Sequence, residues 1–138
     1  DDAAVRRWGA LGLLALGDKA AGAAGSLLAA LKDSSPDVRL TAAETLCNVD
    51  RVEAALPVLI ALLSHESRII RNETLLALCR IGPAAKGALA HLDQARGPSR
   101  HEGIWSSDNI PDMIALVRAC VDEDRPAPLK LTRQRYLP

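Results

Sequence analysis

A stretch of thirteen residues occurs three times without a gap: "VRRWGALGLLALG" at 5–17, "VRLTAAETLCNVD" at 38–50 and "IRNETLLALCRIG" at 70–82. The copies lie 33 and then 32 residues apart. A fixed period of this length means one supersecondary unit repeated. A single unit cannot bury its apolar side alone, so the core must come from stacking neighbours. Aligned on Val5, Val38 and Ile70, the next residue is Arg6, Arg39 or Arg71. Offset four holds Gly9, Ala42 and Thr74, offset eight Leu13, Leu46 and Leu78, and offset eleven Leu16, Val49 and Ile81. Small or apolar residues at these offsets share one face of a helix. Gly17, Asp50 and Gly82 follow, residue types that accept the backbone of a helix stop.

Between the copies the pattern predicts second helices over about 19–32, 53–64 and 84–95. Pro57 and Pro83 fall at or near the starts of the latter two, where a missing N–H does little harm. Residues 33–39, from Asp33 through Ser35 and Pro36 to Arg39, read as a turn with a serine N-cap and a proline in the first helical turn. Alanine and leucine dominate a chain that is 49% hydrophobic and has no phenylalanine, a composition that favours helix over strand. The expected fold is all-α, a right-handed α-solenoid (α-α superhelix) of about three and a half helical hairpins. The units are 2–33, 34–66 and 67–96, with a closing helix at 109–121, in one domain spanning 1–121. Ile110, Met113, Ile114, Val117 and Val121 give that last helix its face. Residues 96–109 read as a loop, and 122–138 as a Pro-rich basic tail, extended or disordered.

Seventeen basic residues balance seventeen acidic ones, so the chain has no general pull on nucleic acid or anionic membrane. With two tryptophans and one tyrosine it also lacks the stacking aromatics of a single-strand binder. Charges or glycines interrupt every apolar run before bilayer length. The first residues, "DDAAV", carry no initiator methionine or signal peptide, so the chain reads as a segment of something longer.

The turn Asp33, then Val38-Arg39, small residues and Leu46, resembles the HEAT repeat in its short, HEAT-like (phycobilisome-lyase-type) form. The three copies carry the resemblance over about residues 2–95. It implies that the turn aspartate and the following arginine tie neighbouring repeats together; His65 replaces that aspartate in the third unit. Over most of its length, ending in "IWSSDNIPDMIALV", the chain also resembles the HEAT-like C-terminal extension of some bacterial sulfatases. That likeness implies an accessory region of an exported or periplasmic enzyme. The sulfatase nucleophile motif C/S-x-P-x-R is approached by Ser34-Ser35-Pro36-Asp37-Val38, but Val38 stands at the arginine position. The enzyme would lie upstream, and this segment is not itself catalytic. Two alternatives share the architecture: HEAT-like phycobilin lyases, and the DNA-alkylation-repeat glycosylases that bind nucleic acid.

No catalytic, cofactor-binding or metal-ligating set is expected. His65, His91 and His101 show no ligand spacing. Cys47 and Cys79 share offset nine with Leu14, so both are expected as unpaired thiols in the core, with Cys120 beside Val117 and Val121. The row Arg6, Arg39, Arg71 is expected to be structural, each guanidinium bonded to a turn; the alternative is an anion-binding rail. The first helix is apolar on more sides than its counterparts. Trp8, Leu11 and Ala15 stand where the second repeat has Thr41, Glu44 and Asn48. These three are the candidate interaction residues. Their expected partner is a protein, either an upstream domain of the same polypeptide or a second copy in a homodimer through this helix.

Overall fold

A computed structural model describes residues 2–97 and 110–122. Six α-helices follow in order: α1 (Ala3–Leu16), α2 (Ala24–Ala30), α3 (Pro36–Asn48), α4 (Val52–Leu63), α5 (Arg68–Ile81) and α6 (Ile110–Asp122). Two tighter helical segments join them, Gly17–Ala23 before α2 and Gly82–Arg96 after α5. The fold is an all-α solenoid, and no strand occurs among the described residues. Helices α1, α3 and α5 are the three copies of the repeated stretch. Helix α3 packs between α1 and α5, while α4 lies against α3, α5 and Gly82–Arg96. The core therefore runs as a continuous strip along the stack, through Leu27, Leu46, Leu59, Leu63, Leu75, Leu78 and Leu92.

The ends of the repeated helices follow from their last residues. Gly17 and Gly82 take φ of 58° and 67°, and Asp50, at the same register, takes 59°. Each turns the chain sharply into its second helix. This reversal bears on the stretch Ala3–Ala30, 28 residues long, within which 18 consecutive residues are apolar enough to cross a bilayer by length and composition. Gly17 divides it, and the 14 residues of α1 rise only about 21 Å at 1.5 Å per residue. A bilayer core needs about 30 Å.

Three local details depart from the sequence pattern. Pro57 lies inside α4 rather than at its start, so the Glu53 carbonyl loses the N–H it would otherwise accept; Pro57 is exposed, where water can replace it. Ser35 occupies the N-cap of α3, but its side chain makes no capping bond. Asp33 instead accepts the Ser35 N–H at 2.8 Å. The second helix of the third unit is wound with three-residue turns from Gly82 to Arg96. Such winding eclipses side chains three apart, and the buried row Gly82, Ala85, Ala88 is small enough to permit it.

Helix α6 closes the stack against α5 and Gly82–Arg96, burying Ile110, Ile114, Val117, Cys120 and Val121. The expected loop lies outside the described residues at 98–109, as does the tail at 123–138, and His101 falls in the former.

Candidate interaction surface

Arg71 is the most deeply placed of the three register arginines, 2% exposed. It sits between the C-terminal ends of two helices, where backbone carbonyls have no intrahelical partner and the helix dipoles are negative. Its Nη1 donates to the carbonyls of His65 (2.8 Å) and Glu66 (3.0 Å), just beyond α4. Its Nε donates to the Ala95 carbonyl (2.9 Å) and its Nη2 to that of Gly97 (3.1 Å), where the next helix ends. Arg39 repeats the backward half of this arrangement, with Nη1 donating to the Asp33 (2.6 Å) and Ser34 (3.0 Å) carbonyls. Arg6 repeats the forward half, its Nε and Nη2 donating to the Asp33 carboxylate at 2.6 and 2.9 Å. Arg71 thus staples its helix to the turns on both sides, while Arg39 is bonded to the turn before its helix and Arg6 to the turn after.

Asp33 carries a second consequence of that arrangement. The Arg6 guanidinium, aided by the Ser35 N–H, lowers the Asp33 carboxyl to a pKa of about 2. In the third unit His65 takes over the aspartate's turn role, its Nδ1 accepting the Ser67 N–H at 3.0 Å. Between α3 and α5 the units are tied differently. The buried Glu44 accepts Arg80 Nε (2.5 Å) and Nη2 (2.7 Å) in a bidentate pair. In the first unit Leu11 stands at the register of Glu44, and in the second Asn48 stands at that of Arg80.

Cys47 is a buried free thiol, and burial, reinforced by the nearby Glu44, pushes its pKa up to about 12. Cys79 overturns the expectation of an unpaired thiol: it forms a disulfide with Cys120 of α6, the two Cα atoms lying 5.5 Å apart. Helix axes pack about 8–10 Å apart, but Cα atoms stand about 2.3 Å off the axis, so two residues facing each other across a contact come within disulfide reach. Among the described residues no group of three or more His, Cys, Asp or Glu is placed to hold a metal. Ser34 and Ser35 belong to the turn that Arg6 and Arg39 bind.

The three candidate interaction residues lie on α1, whose one buried residue is Ala10. Trp8 is 74% exposed, Ala15 is exposed and Leu11 is half-buried. Sequence reasoning omitted two larger contributors, Val5 at 67% and Leu16 at 50%. The repeat register shows how unusual this is. The equivalents of Val5 are Val38 and Ile70, 1% and 4% exposed, because a neighbouring unit covers them. The equivalents of Trp8 and Gly12 are the buried Thr41 and Thr45 in α3, and the exposed Glu73 and buried Ala77 in α5. Beside this face a groove of about 420 Å³ is lined by residues of α1 and α2, with Arg6, Leu27, Asp33 and Val38 among its walls. The opposite end of the stack differs, since α6 turns Asp112, Ala115 and Arg118 outward.

Compared with known proteins, residues 24–102 match the family described as HEAT repeats. No curated protein and no solved structure matches the chain. The match begins at α2 and leaves α1 outside it.

Proposed function

Because the chain belongs to the HEAT-repeat family, we propose that it is a non-catalytic interaction module that binds protein through the apolar end of its stack at α1. The observation that carries this reading is the contrast along the register: Val5, Trp8 and Gly12 are open where Val38, Thr41 and Thr45 are covered. A solenoid end that keeps the pattern of an internal face, without the polar outer surface of a terminal unit, needs a covering partner. The chemistry of that face calls for a protein presenting an apolar helix. The polar interior is committed to structure: Arg71 to four carbonyls, Arg6 to Asp33 and Glu44 to Arg80. This supports a preformed surface rather than a reacting site.

Hydroxyl-radical footprinting tests the reading, with Ile69 as internal standard because it is 72% exposed, close to Trp8. In dilute purified chain both should oxidise, each at the rate set by its own side-chain reactivity and exposure. In an extract of the cells that make the protein, Trp8 should be protected and Ile69 unchanged. Equal oxidation of Trp8 in both settings would defeat the proposal.

The finer reading is that this module is the C-terminal accessory region of a bacterial sulfatase. It rests on the resemblance of the repeats and of "IWSSDNIPDMIALV" to such extensions. The reading frame upstream of Asp1 tests it: a C/S-x-P-x-R motif several hundred codons earlier supports it, and a frame without one rejects it.

A further inference from the structure

We propose that the Cys79–Cys120 disulfide is a redox latch on α6: two-electron reduction lets this end helix open and close apart from the rest of the stack. The latch lies at the opposite end of the molecule from α1 and is independent of what binds there.

The position of the link makes it a latch rather than a general brace. Cys120 lies in the last turn of α6 and Cys79 in the last turn of α5. The other end of α6 is joined through the chain to Gly97, whose carbonyl Arg71 holds at 3.1 Å. Helix α6 is therefore tied at both ends while the disulfide is intact, and at its N-terminal end alone once it is broken. It packs on α5 and Gly82–Arg96, and its ion pair Arg118–Asp93, at 3.2 Å, is exposed on both sides and adds little. Helix α3, by contrast, is held by α1, α2, α4 and α5. In a stack where each unit touches only its neighbours, an end unit opens at the lowest cost. Cys47, at the same offset one unit inward, is a free thiol, so the link is confined to the end helix.

Burial decides when the latch can be worked. Cys79 is 0% and Cys120 1% exposed, beneath the side of α6 that also buries Ile114, Val117 and Val121. A reductant cannot reach these sulfurs in the closed form. It must wait for α6 to loosen, and the intact link keeps that loosening rare. A dithiol then supplies two electrons and two protons. One of its thiolates attacks a cysteine sulfur, breaking the S–S bond and giving a mixed disulfide, and its second thiol displaces that sulfur. The reductant leaves as a disulfide, and Cys79 and Cys120 each take one proton. Oxidising surroundings thus hold this end of the solenoid shut, and thiol-rich ones free α6 and uncover the sides of α5 and Gly82–Arg96 beneath it.

The chain between Gly97 and Cys120 sets the loop that the link closes while the rest stays folded. Loop-closure entropy for that length corresponds to roughly 300-fold in the opening equilibrium. Hydrogen exchange tests this on chain oxidised with glutathione disulfide and on chain reduced with dithiothreitol, each over a series of low urea concentrations. After reduction the amides of α6 should exchange about 300-fold faster, with only a weak dependence on urea, because opening one helix exposes little surface. Amides of α3 should keep the steep urea dependence of whole-chain unfolding. Cys120→Ala should exchange in α6 as the reduced chain does, with or without dithiothreitol, and Cys47→Ala should follow the parent in both states. Amides of α6 that ignore reduction, or that share the urea dependence of α3, would overturn the latch. So would a reduced chain that loses its helical circular dichroism altogether, or a chain that still carries three thiols by intact mass after glutathione disulfide.

Discussion

Replacing Arg71 by methionine keeps most of the buried stem and removes the guanidinium, which isolates what the four carbonyl bonds contribute. Hydrogen bonds to a charged group contribute about 1.5–3 kcal/mol each, but four on one side chain do not add. The Glu66 and Gly97 carbonyls lie near the surface and regain water, whereas the Ala95 carbonyl is in a buried contact. A loss of about 3–5 kcal/mol is expected, in the range for breaking a buried polar network. Arg39→Met removes two bonds at a half-buried site and should cost about 1–2 kcal/mol. Arg71→Lys should recover only part of the loss, since an ammonium cannot reach both helix ends in a fork. Urea denaturation of the three variants gives the comparison, with the slope unchanged and the midpoints shifted. If Arg71→Met costs less than Arg39→Met, the staple between two helix ends is not what holds the third unit.

Cys120→Ser opens a cross-link between residues 41 apart; loop-closure entropy assigns that link about 4 kcal/mol. The melting temperature of the parent chain should fall with reductant, while that of the variant should not respond, and intact mass should show the pair oxidised. Asp33, held at about pKa 2 in the fold and near 3.8 when free, stabilises the protein fully above about pH 4. That contribution is lost as pH falls through about 2, so denaturation midpoints of the parent and Asp33→Asn should converge there; a gap that is constant with pH would deny Arg6 as the cause. Arg80→Met leaves the Glu44 carboxylate buried without its bidentate partner and should cost about 2 kcal/mol or more. Glu44→Leu combined with Arg80→Met should regain most of it, since Leu11 already fills that register in the first unit.

The architecture is legible in the sequence because it is written three times. Small and apolar residues at offsets 0, 4, 8 and 11 fix one face of each repeated helix, and Gly17, Asp50 and Gly82 fix its end, whatever the intervening residues do. The second helices are legible only as helical: the pattern does not distinguish the three-residue turns of Gly82–Arg96 from an α-helix, because eclipsed alanines satisfy both. Pro57 departs from its expected place for a related reason. A proline marks a helix start only where the boundary is otherwise defined, and Arg51–Val52 offers no recognisable N-cap.

The disulfide marks where a repeat register stops informing. Cys47 and Cys79 occupy the same offset, and the register treats them alike as apolar positions in the core. What separates them is the neighbour: α5 covers the unit that holds Cys47, whereas α6, outside the repeat, covers Cys79 and brings Cys120 with it. The same distinction governs the α1 face. Offsets 0, 3 and 7 are buried in α3, which packs between α1 and α5, and open in α1, over which no described unit lies; in α5 offset 3 is the exposed Glu73. A register therefore tells which side of a helix seeks cover, and only the two terminal helices tell whether cover is needed. Helix α6 answers with Asp112 and Arg118 toward water, and α1 answers with Val5, Trp8 and Leu16.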